Sequence, residues 1–244
     1  MKLFGLIGYP LSHSFSRKYF TEKFEREGIA EHEYLLFPIA QIDELKKLLL
    51  DHPGLKGLNV TIPYKEQVIP FLDELSPVVK QVGACNCIMI EEGRLIGYNT
   101  DVIGFKQTLA PHLKPHHNKA LVLGTGGAAK AVYHVLQELK IDYTMVSRTP
   151  SENTITYEMI DKEVIEEHTL IINTTPLGMH PHVDSAPPLP YAYLSAAHYL
   201  YDLVYNPDPT LFLKKGKEMG ATTENGSAML VIQAEASWKI WNAG

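Results

Sequence analysis

Residues 119–149, KALVLGTGGAAKAVYHVLQELKIDYTMVSRT, decide the fold class of the second half of the chain. The apolar run 119–123 predicts a strand, the amphipathic stretch 127–139 predicts a helix, and 143–147 predicts a second strand. Between the first strand and the helix lies GTGGAA, which matches the pattern G-x-G-x-x-G/A. That pattern is a weak signal alone and a much stronger one between an apolar strand and a helix.

Each small residue of this turn has a separate physical reason. Gly124 permits a tight turn, Gly126 lets the backbone approach a pyrophosphate, and Ala129 allows close packing of helix and strand. The backbone N–H groups at the helix start, at Gly127 and Ala128, would face the phosphates. We therefore predict a Rossmann-like dinucleotide-binding unit. The alternative is a strand-to-helix turn that binds nothing.

The end of the next strand predicts which dinucleotide binds. An NAD site would place an acid about twenty residues after the glycines, but MVSRTP (145–150) contains none. Arg148, between Ser147 and Thr149, can instead pair with a 2′-phosphate, so we favour NADP(H). Glu152 lies close by and leaves NAD open, and a surface arginine without a ligand is the simpler alternative.

The first half of the chain also alternates between strands and helices, which predicts a mostly parallel α/β sheet. The predicted strands and helices of the rest of the chain are 2–8, 14–27, 33–39, 42–51, 56–62, a hairpin over 85–100, 101–110 capped by Thr100 or Asp101, 169–178, 198–205, 209–219 and 226–242. In LNVTIPYK (58–65), alternation predicts Val60 and Ile62 on the core face and Asn59 and Thr61 on the other. Lys65 then follows the end of that strand.

Composition excludes several classes of protein. The chain has 244 residues and a net charge of -6, which argues against a nucleic-acid binder. It has no signal-peptide pattern and no apolar stretch long enough to span a bilayer, so we expect no membrane partner. The close spacing of its two cysteines, Cys85 and Cys87, suits packed thiols in a reducing cytoplasm. Without HExxH or CxxC, we expect no metal.

Several separated stretches together resemble the shikimate dehydrogenase family, and their order and spacing cover nearly the whole chain. They are GYPLSHSFS, LNVTIPYKE, GACNC, GYNTD, GTGGAA, SRT, INTTPLGM, YDLVYNP and ENGSAMLVIQA. The resemblance implies a substrate-binding domain of residues 1–101 completed by a C-terminal helix (226–244), an NADP-binding domain of residues 102–225, and an active site in the cleft between them. It also implies reversible NADPH-dependent reduction of 3-dehydroshikimate to shikimate.

The resemblance assigns roles to individual residues. Lys65 and Asp101 match the catalytic pair, and Ser14 and Ser16 match the residues that hold the substrate carboxylate. The other matched substrate-binding residues are Asn59, Thr61, Asn86, Tyr205 and Gln233. The matched cofactor-binding residues are Gly124, Gly126, Gly127, Ala128, Ser147, Arg148, Thr149, Thr174 and Gly226.

The chain departs from the family pattern in places that keep alternatives open. Arg17 stands where proline is usual, Val102 where glycine is frequent, and Glu152 near the place of a second basic residue. The first alternative is a quinate/shikimate dehydrogenase that uses NAD(H). The second is a non-catalytic sensor of shikimate, disfavoured because binding alone needs neither Lys65 nor Asp101 as a proton donor. We expect a monomer or a homodimer.

Overall fold

The computed structural model describes residues 1–11 and 14–243, and the described chain forms two compact units. Unit 1 combines Met1–Gly104 with Leu230–Gly244, and unit 2 is Phe105–Met229. Ser12, His13 and Gly244 lie outside the described residues. Among the helices in the described part of the chain, none is long and apolar enough to cross a membrane.

Unit 1 is built on one mixed six-stranded sheet. Its strands are β1 (Lys2–Gly8), β2 (His32–Pro38), β3 (Leu55–Val60), β4 (Glu74–Leu75), β5 (Cys87–Glu91) and β6 (Arg94–Tyr98). Its helices are α1 (Phe15–Arg26), α2 (Glu44–Asp51), α3 (Pro77–Val82), the start of α4 (Asp101–Leu109) and most of α8 (Ser227–Trp241). The strand order is β2-β1-β3-β5-β6-β4, with β5 antiparallel to both its neighbours and the other pairs parallel.

The prediction that Ile62 faces the core is wrong. β3 ends at Val60, two residues earlier than predicted, although the Thr61 N–H still donates to the Ile7 carbonyl over 3.0 Å. Val60 is 2% exposed and Ile62 is 66% exposed. Side-chain alternation holds only while the backbone stays in the sheet, and Ile62 already belongs to the turn that leads into Pro63.

Helix α8 completes the core of unit 1 although it follows unit 2 in the chain. Its Trp241 stacks on Phe4 with ring centroids 5.0 Å apart and donates its indole N–H to the Ile88 carbonyl over 2.9 Å. Gly57 of β3 makes this packing possible, because a Cβ there would lie 2.3 Å from the indole nitrogen of Trp241. The last helix is therefore an integral layer of unit 1.

Unit 2 is a doubly wound parallel sheet. Its strands are β7 (Lys119–Leu123), β8 (Asp142–Val146), β9 (Thr154–Ile155), β10 (Leu170–Asn173), β11 (Tyr199–Asp202) and β12 (Thr222–Asn225). Its other helices are α5 (Gly127–Glu138), α6 (Lys162–Glu167) and α7 (Leu211–Glu218). The order β12-β11-β10-β7-β8-β9, all parallel, is the arrangement of dinucleotide-binding folds, so the predicted Rossmann-like class is confirmed.

Candidate active site

Unit 1 contains a largely buried lysine–aspartate ion pair. The Lys65 ammonium donates to the Asp101 carboxylate with a Nζ–Oδ2 distance of 2.7 Å. The two side chains are 16% and 10% exposed, so the pair is largely shielded while solvent still reaches it. The Lys65 carbonyl also accepts the Cys85 N–H over 2.7 Å, which fixes the lysine backbone. An ammonium held in this way can donate a proton and stabilise a developing negative charge.

The start of α4 leaves the Asp101 carboxylate available for this pair. The side chain of Asn99 accepts the Val102 N–H over 3.2 Å and donates to the Ala84 carbonyl over 2.9 Å. Thr100 stands at the predicted N-cap, where its carbonyl accepts the Gly104 N–H over 3.0 Å, and Asn99, one residue earlier, supplies a side-chain acceptor. Asp101 opens the helix, where the helix dipole favours a negative charge.

Asn86 is held by Thr100, the residue next to Asp101. The Thr100 N–H donates to Asn86 Oδ1 over 2.6 Å, and Asn86 Nδ2 donates to Thr100 Oγ1 over 3.0 Å. Asn86 is 3% exposed and Thr100 is fully buried. One N–H of the Asn86 amide keeps no partner among these contacts, so it can be offered to a bound hydroxyl group.

Asn59 lies beside this pair and is more completely engaged. Its Oδ1 accepts the Tyr34 hydroxyl over 2.8 Å, and its Nδ2 donates to Ser237 Oγ over 3.0 Å and to the Asn86 carbonyl over 3.3 Å. Both amide N–H groups are therefore donated within the protein. Asn59 can offer a ligand only the remaining lone pair of its oxygen. Thr61, two residues on, is half-buried.

The remaining substrate-matched residues of unit 1 lie on α1 and α8. Ser14 caps α1 by accepting the Arg17 N–H over 3.4 Å, and Ser16 lies in the first turn of α1. Burial raises the pKa of the Tyr34 phenol well above its ordinary value, although the Ser16 side chain opposes the shift. In α8, Gln233 is 6% exposed and donates to the Leu230 carbonyl over 3.0 Å.

The two cysteines beside the ion pair are packed thiols. Both are free and fully buried. Burial raises the pKa of Cys85 to about 12 and raises that of Cys87 as well. Both thiols are therefore neutral at physiological pH, and neither is a nucleophile.

In unit 2 the glycine turn is packed tightly on one side. Gly124 has a φ of 108°, and a Cβ there would lie 2.7 Å from Thr174 Oγ1. Thr174 is itself fixed, since its N–H and its hydroxyl both donate to the Leu123 carbonyl, over 2.9 and 2.7 Å. The turn therefore requires glycine at 124, and Thr174 forms part of the wall behind it.

On its other side the turn is open. Gly126 precedes α5 and is exposed, no side chain caps the helix start, and a Cβ at Gly126 would meet no atom within 4 Å. Gly127 and Ala128 begin the helix and are partly exposed, while Ala129 is fully buried. These uncapped N–H groups, at the positive end of the helix dipole, fit the pyrophosphate of a dinucleotide.

The arginine after β8 is available for a ligand. Arg148 is exposed, and no ion pair of the described residues includes Arg148 or Glu152. The Ser147 hydroxyl accepts the Thr149 N–H over 3.2 Å, which shapes the backbone around the arginine. A guanidinium in this position can bind a 2′-phosphate, and Glu152 does not neutralise it through an ion pair.

A buried carboxylate organises the ends of β10 and β11. Asp202 accepts hydrogen bonds from Asn173 Nδ2 (2.9 Å), the Val204 N–H (3.0 Å) and the Thr210 hydroxyl (2.6 Å). Burial raises its pKa to about 6, against the opposing effect of these bonds. Tyr205 follows in the same loop and is half-buried.

Gly226, which was matched to a cofactor-binding position, packs against this loop. A Cβ there would lie 2.3 Å from the Leu203 carbonyl oxygen, so the close approach of the two backbones requires glycine.

Sequence reasoning missed the residues that hold the matched ones in place. These are Tyr34, Asn99, Thr100, Asn173, Asp202 and Ser237. The available signals were weak: Thr100 adjoins Asp101, and Ser237 lies one helical turn after Gln233. Hydrogen bonds such as Asn59–Ser237 join residues too far apart in sequence for any local pattern to predict.

Comparison with known proteins agrees with this description of the candidate site. Residues 6–88 match the family model described as the shikimate dehydrogenase substrate binding domain. The shikimate dehydrogenase (NADP(+)) of Carboxydothermus hydrogenoformans is 37% identical, over 98% of this chain and 91% of the relative. The Thermus thermophilus shikimate 5-dehydrogenase, solved with NADP(H) and shikimate, superposes with a TM-score of 0.86 at 31% identity, covering 100% of this chain and 94% of that one.

A related enzyme with another substrate also superposes. The quinate dehydrogenase of Corynebacterium glutamicum, solved with NAD, gives a TM-score of 0.86 at 27% identity, over 100% of this chain and 94% of that one. The two relatives of higher identity are both named shikimate dehydrogenase, and each matches this chain over nearly its whole length. This chain belongs to the shikimate dehydrogenase family.

Proposed function

We propose that the protein catalyses the reversible NADPH-dependent reduction of 3-dehydroshikimate to shikimate. The observation that carries the proposal is the Lys65–Asp101 ion pair, with 2.7 Å between Nζ and Oδ2 and both side chains shielded from bulk water. A sensor that only binds shikimate needs no proton donor. The family membership and the dinucleotide-type sheet of unit 2 support the same reaction.

Reduction of a ketone requires a hydride and a proton. When bound, NADPH supplies the hydride, which no side chain can provide. Lys65 donates the proton to the substrate oxygen and stabilises the charge that develops on it. Asp101 holds the lysine ammonium in position and accepts a hydrogen bond from a neighbouring substrate hydroxyl. In the reverse direction the lysine takes the proton back.

The remaining substrate contacts follow the resemblance. Ser14 and Ser16, at the start of α1, are proposed to bind the substrate carboxylate, because a helix N-terminus favours an anion. Neutral hydrogen-bonding groups are proposed to bind the substrate hydroxyls, and they are supplied by Asn59, Thr61, Asn86, Tyr205 and Gln233. One Asn86 N–H has no partner among the described residues, which supports a direct contact, whereas the engaged amide of Asn59 supports an indirect one.

The two functions are assigned to separate parts of the chain. Residues 1–101 with the helix 226–244 are proposed to bind the substrate, and residues 102–225 to bind NADP. The uncapped helix start at Gly126 supports a pyrophosphate site there. The Arg148 guanidinium, which forms no ion pair with a described residue, supports recognition of the 2′-phosphate, with Ser147 and Thr149 shaping the loop. Thr174 and Gly226 are proposed to line the same site.

We also propose a cytoplasmic monomer or homodimer. The two free, buried thiols support a reducing compartment. Sedimentation of the purified protein would distinguish one copy from two.

The first test is an assay of the purified protein with 3-dehydroshikimate, in which NADPH or NADH oxidation is followed by absorbance. Oxidation of NADPH in clear preference to NADH is the expected result. Comparable use of NADH, with quinate oxidised in reverse, would instead establish the quinate/shikimate alternative that Glu152 leaves open. No oxidation of either nucleotide, with shikimate and quinate inert in reverse, would refute the proposed function.

A further inference from the structure

Ser237 joins three of the groups around the candidate substrate site. It lies in α8, is fully buried, and takes part in three hydrogen bonds. Its partners are the Gln233 carbonyl at 2.9 Å, Asn59 Nδ2 at 3.0 Å and Thr100 Oγ1 at 3.2 Å. No other side chain of α8 contacts both Asn59 and Thr100 by a hydrogen bond in the described part of the chain.

The partners of Ser237 fix the direction of its own proton. A hydroxyl group has one proton to donate and two lone pairs. The Gln233 carbonyl can only accept, so the Ser237 proton goes to it, and Asn59 Nδ2 can only donate, so it takes one lone pair of Ser237. The other lone pair faces the Thr100 hydroxyl at 3.2 Å, which also lies 3.3 Å from Asn86 Oδ1 and 3.4 Å from Gln233 Oε1.

Thr100 in turn holds Asn86. Its Oγ1 accepts Asn86 Nδ2 over 3.0 Å. The Thr100 N–H meanwhile donates to Asn86 Oδ1. The Thr100 N–H can only donate, so the Asn86 amide turns its oxygen towards it, and one Asn86 N–H has no partner among the described residues. Ser237 thus holds Asn59 directly and reaches Asn86 through Thr100.

We propose that Ser237 is a positioning residue for substrate binding, which holds Asn59 directly and Asn86 through Thr100 and ties them to the helix that carries Gln233. The inference rests on the proposed function, because it assumes that these amides serve the substrate. Ser237 acts through Asn59 and Thr100 and needs no contact with the substrate.

Replacing Ser237 by alanine tests the role. Ser237→Ala leaves one Asn59 N–H without its acceptor in a buried place and removes one contact of the Thr100 hydroxyl, so both amides are held less firmly for the substrate. We expect the KM for shikimate to rise about 10-fold, which corresponds to about 1.4 kcal/mol. The KM for NADP and the affinity for NADPH alone should stay within about 2-fold, because the glycine turn and α5 belong to unit 2 and this network belongs to unit 1.

Two further variants separate positioning from general destabilisation. Thr108→Val removes another buried hydroxyl, which lies 2.6 Å from the Tyr201 hydroxyl in unit 2, and should leave the KM for shikimate unchanged. Ser237→Thr keeps the hydroxyl and should restore most of the KM. Because Ser237 acts partly through Thr100, adding Ser237→Ala to Thr100→Val should raise the KM by less than Ser237→Ala does in the wild type.

The outcomes distinguish this inference from the proposed function. A wild-type protein inactive with shikimate and NADP would refute the proposed function itself. An active wild type whose Ser237→Ala variant keeps its KM, or shares its change with Thr108→Val, would refute the positioning role alone. Fully additive effects in the double variant would show that Ser237 does not act through Thr100.

Discussion

The two units prepare their candidate sites in opposite ways. Unit 1 uses side chains that hold one another, as the Lys65–Asp101 pair and the amides around Ser237 show. Unit 2 uses backbone kept bare by glycine, as Gly124 and Gly126 show. The site in unit 1 should therefore fail when atoms are removed, and the site in unit 2 should fail when atoms are added.

The largest effect should come from removing the proton donor. Lys65→Ala should lower kcat by roughly 10² to 10⁴-fold, the usual range for loss of a general acid. Steady-state assays of both reaction directions would measure it. Lys56→Ala, which removes an exposed lysine of β3, is the matched control and should keep wild-type turnover. Near-normal turnover of Lys65→Ala would contradict the assigned chemistry.

Adding one methyl group at each of two glycines tests unit 2. Gly124→Ala should lower the free energy of unfolding by about 3 kcal/mol, because it combines a φ of 108° with a contact of 2.7 Å to Thr174. Gly126→Ala meets open space and should change stability by less than about 1 kcal/mol, yet it should weaken NADPH binding at least about 10-fold. Denaturant unfolding and NADPH fluorescence titration would measure these effects.

The predictions for the two glycine variants can be contradicted independently. Equal losses of stability in both would mean that Gly126 is a structural glycine. Wild-type NADPH affinity in Gly126→Ala would mean that the helix start does not hold the pyrophosphate.

Asp202 is an exception within unit 2, since it is a buried side chain held by other side chains. Its pKa is raised from 3.8 to about 6 by burial, so the folded protein holds this proton more tightly than the unfolded chain. Its contribution to stability is complete below pH 4 and is lost as the pH rises through about 6. The free energy of unfolding is therefore about 3 kcal/mol lower above this pH range than below it, as far as Asp202 is concerned.

Asp202→Asn removes this titration while keeping most of the hydrogen-bonding groups. Relative to wild type, the variant should therefore gain stability between pH 4 and pH 7. Denaturant midpoints of the two proteins at a series of pH values would test this, since all other titrations cancel in the difference. If the denaturant midpoints of the two proteins changed with pH in parallel, Asp202 would have the same pKa in the folded and unfolded states.

The smallest effect should be found at the exposed arginine. Arg148→Ala should raise the KM for NADP about 10-fold and leave the KM for NAD nearly unchanged, because only NADP carries the 2′-phosphate. Glu152→Gln is a useful companion and should lower the KM for NADP slightly. Equal changes in the KM for both nucleotides would mean that Arg148 does not recognise the 2′-phosphate.

The sequence predicted the parts of the fold that rest on local pattern. The strand–glycine–helix unit at 119–138 was confirmed because apolar periodicity and glycine placement are local signals. The two-residue strands β4 and β9 and the six-residue helices α3 and α6 were not predicted, because they are too short to show a period. The orientation of Ile62 was wrong because alternation was extended past the end of β3.

The residues of the candidate site were also predicted only in part. Lys65 and Asp101 were identified by resemblance, and the structure brings them into contact. Periodicity could not have done so, since 36 positions separate them and the contact depends on the order of β3, β5 and β6. The contacts of Ser237 depend on how α8 packs, which is a tertiary property that one sequence does not encode locally.

The return of α8 to unit 1 has a consequence for the order of folding during synthesis. Residues 105–229 leave the ribosome as one continuous run, so unit 2 can fold as soon as it emerges. Unit 1 begins earlier but lacks Trp241 until the whole of unit 2 has been translated, and until then Phe4 and Gly57 face no indole. The part of the chain that is made first is therefore finished last, and its nascent form exposes an apolar face throughout elongation.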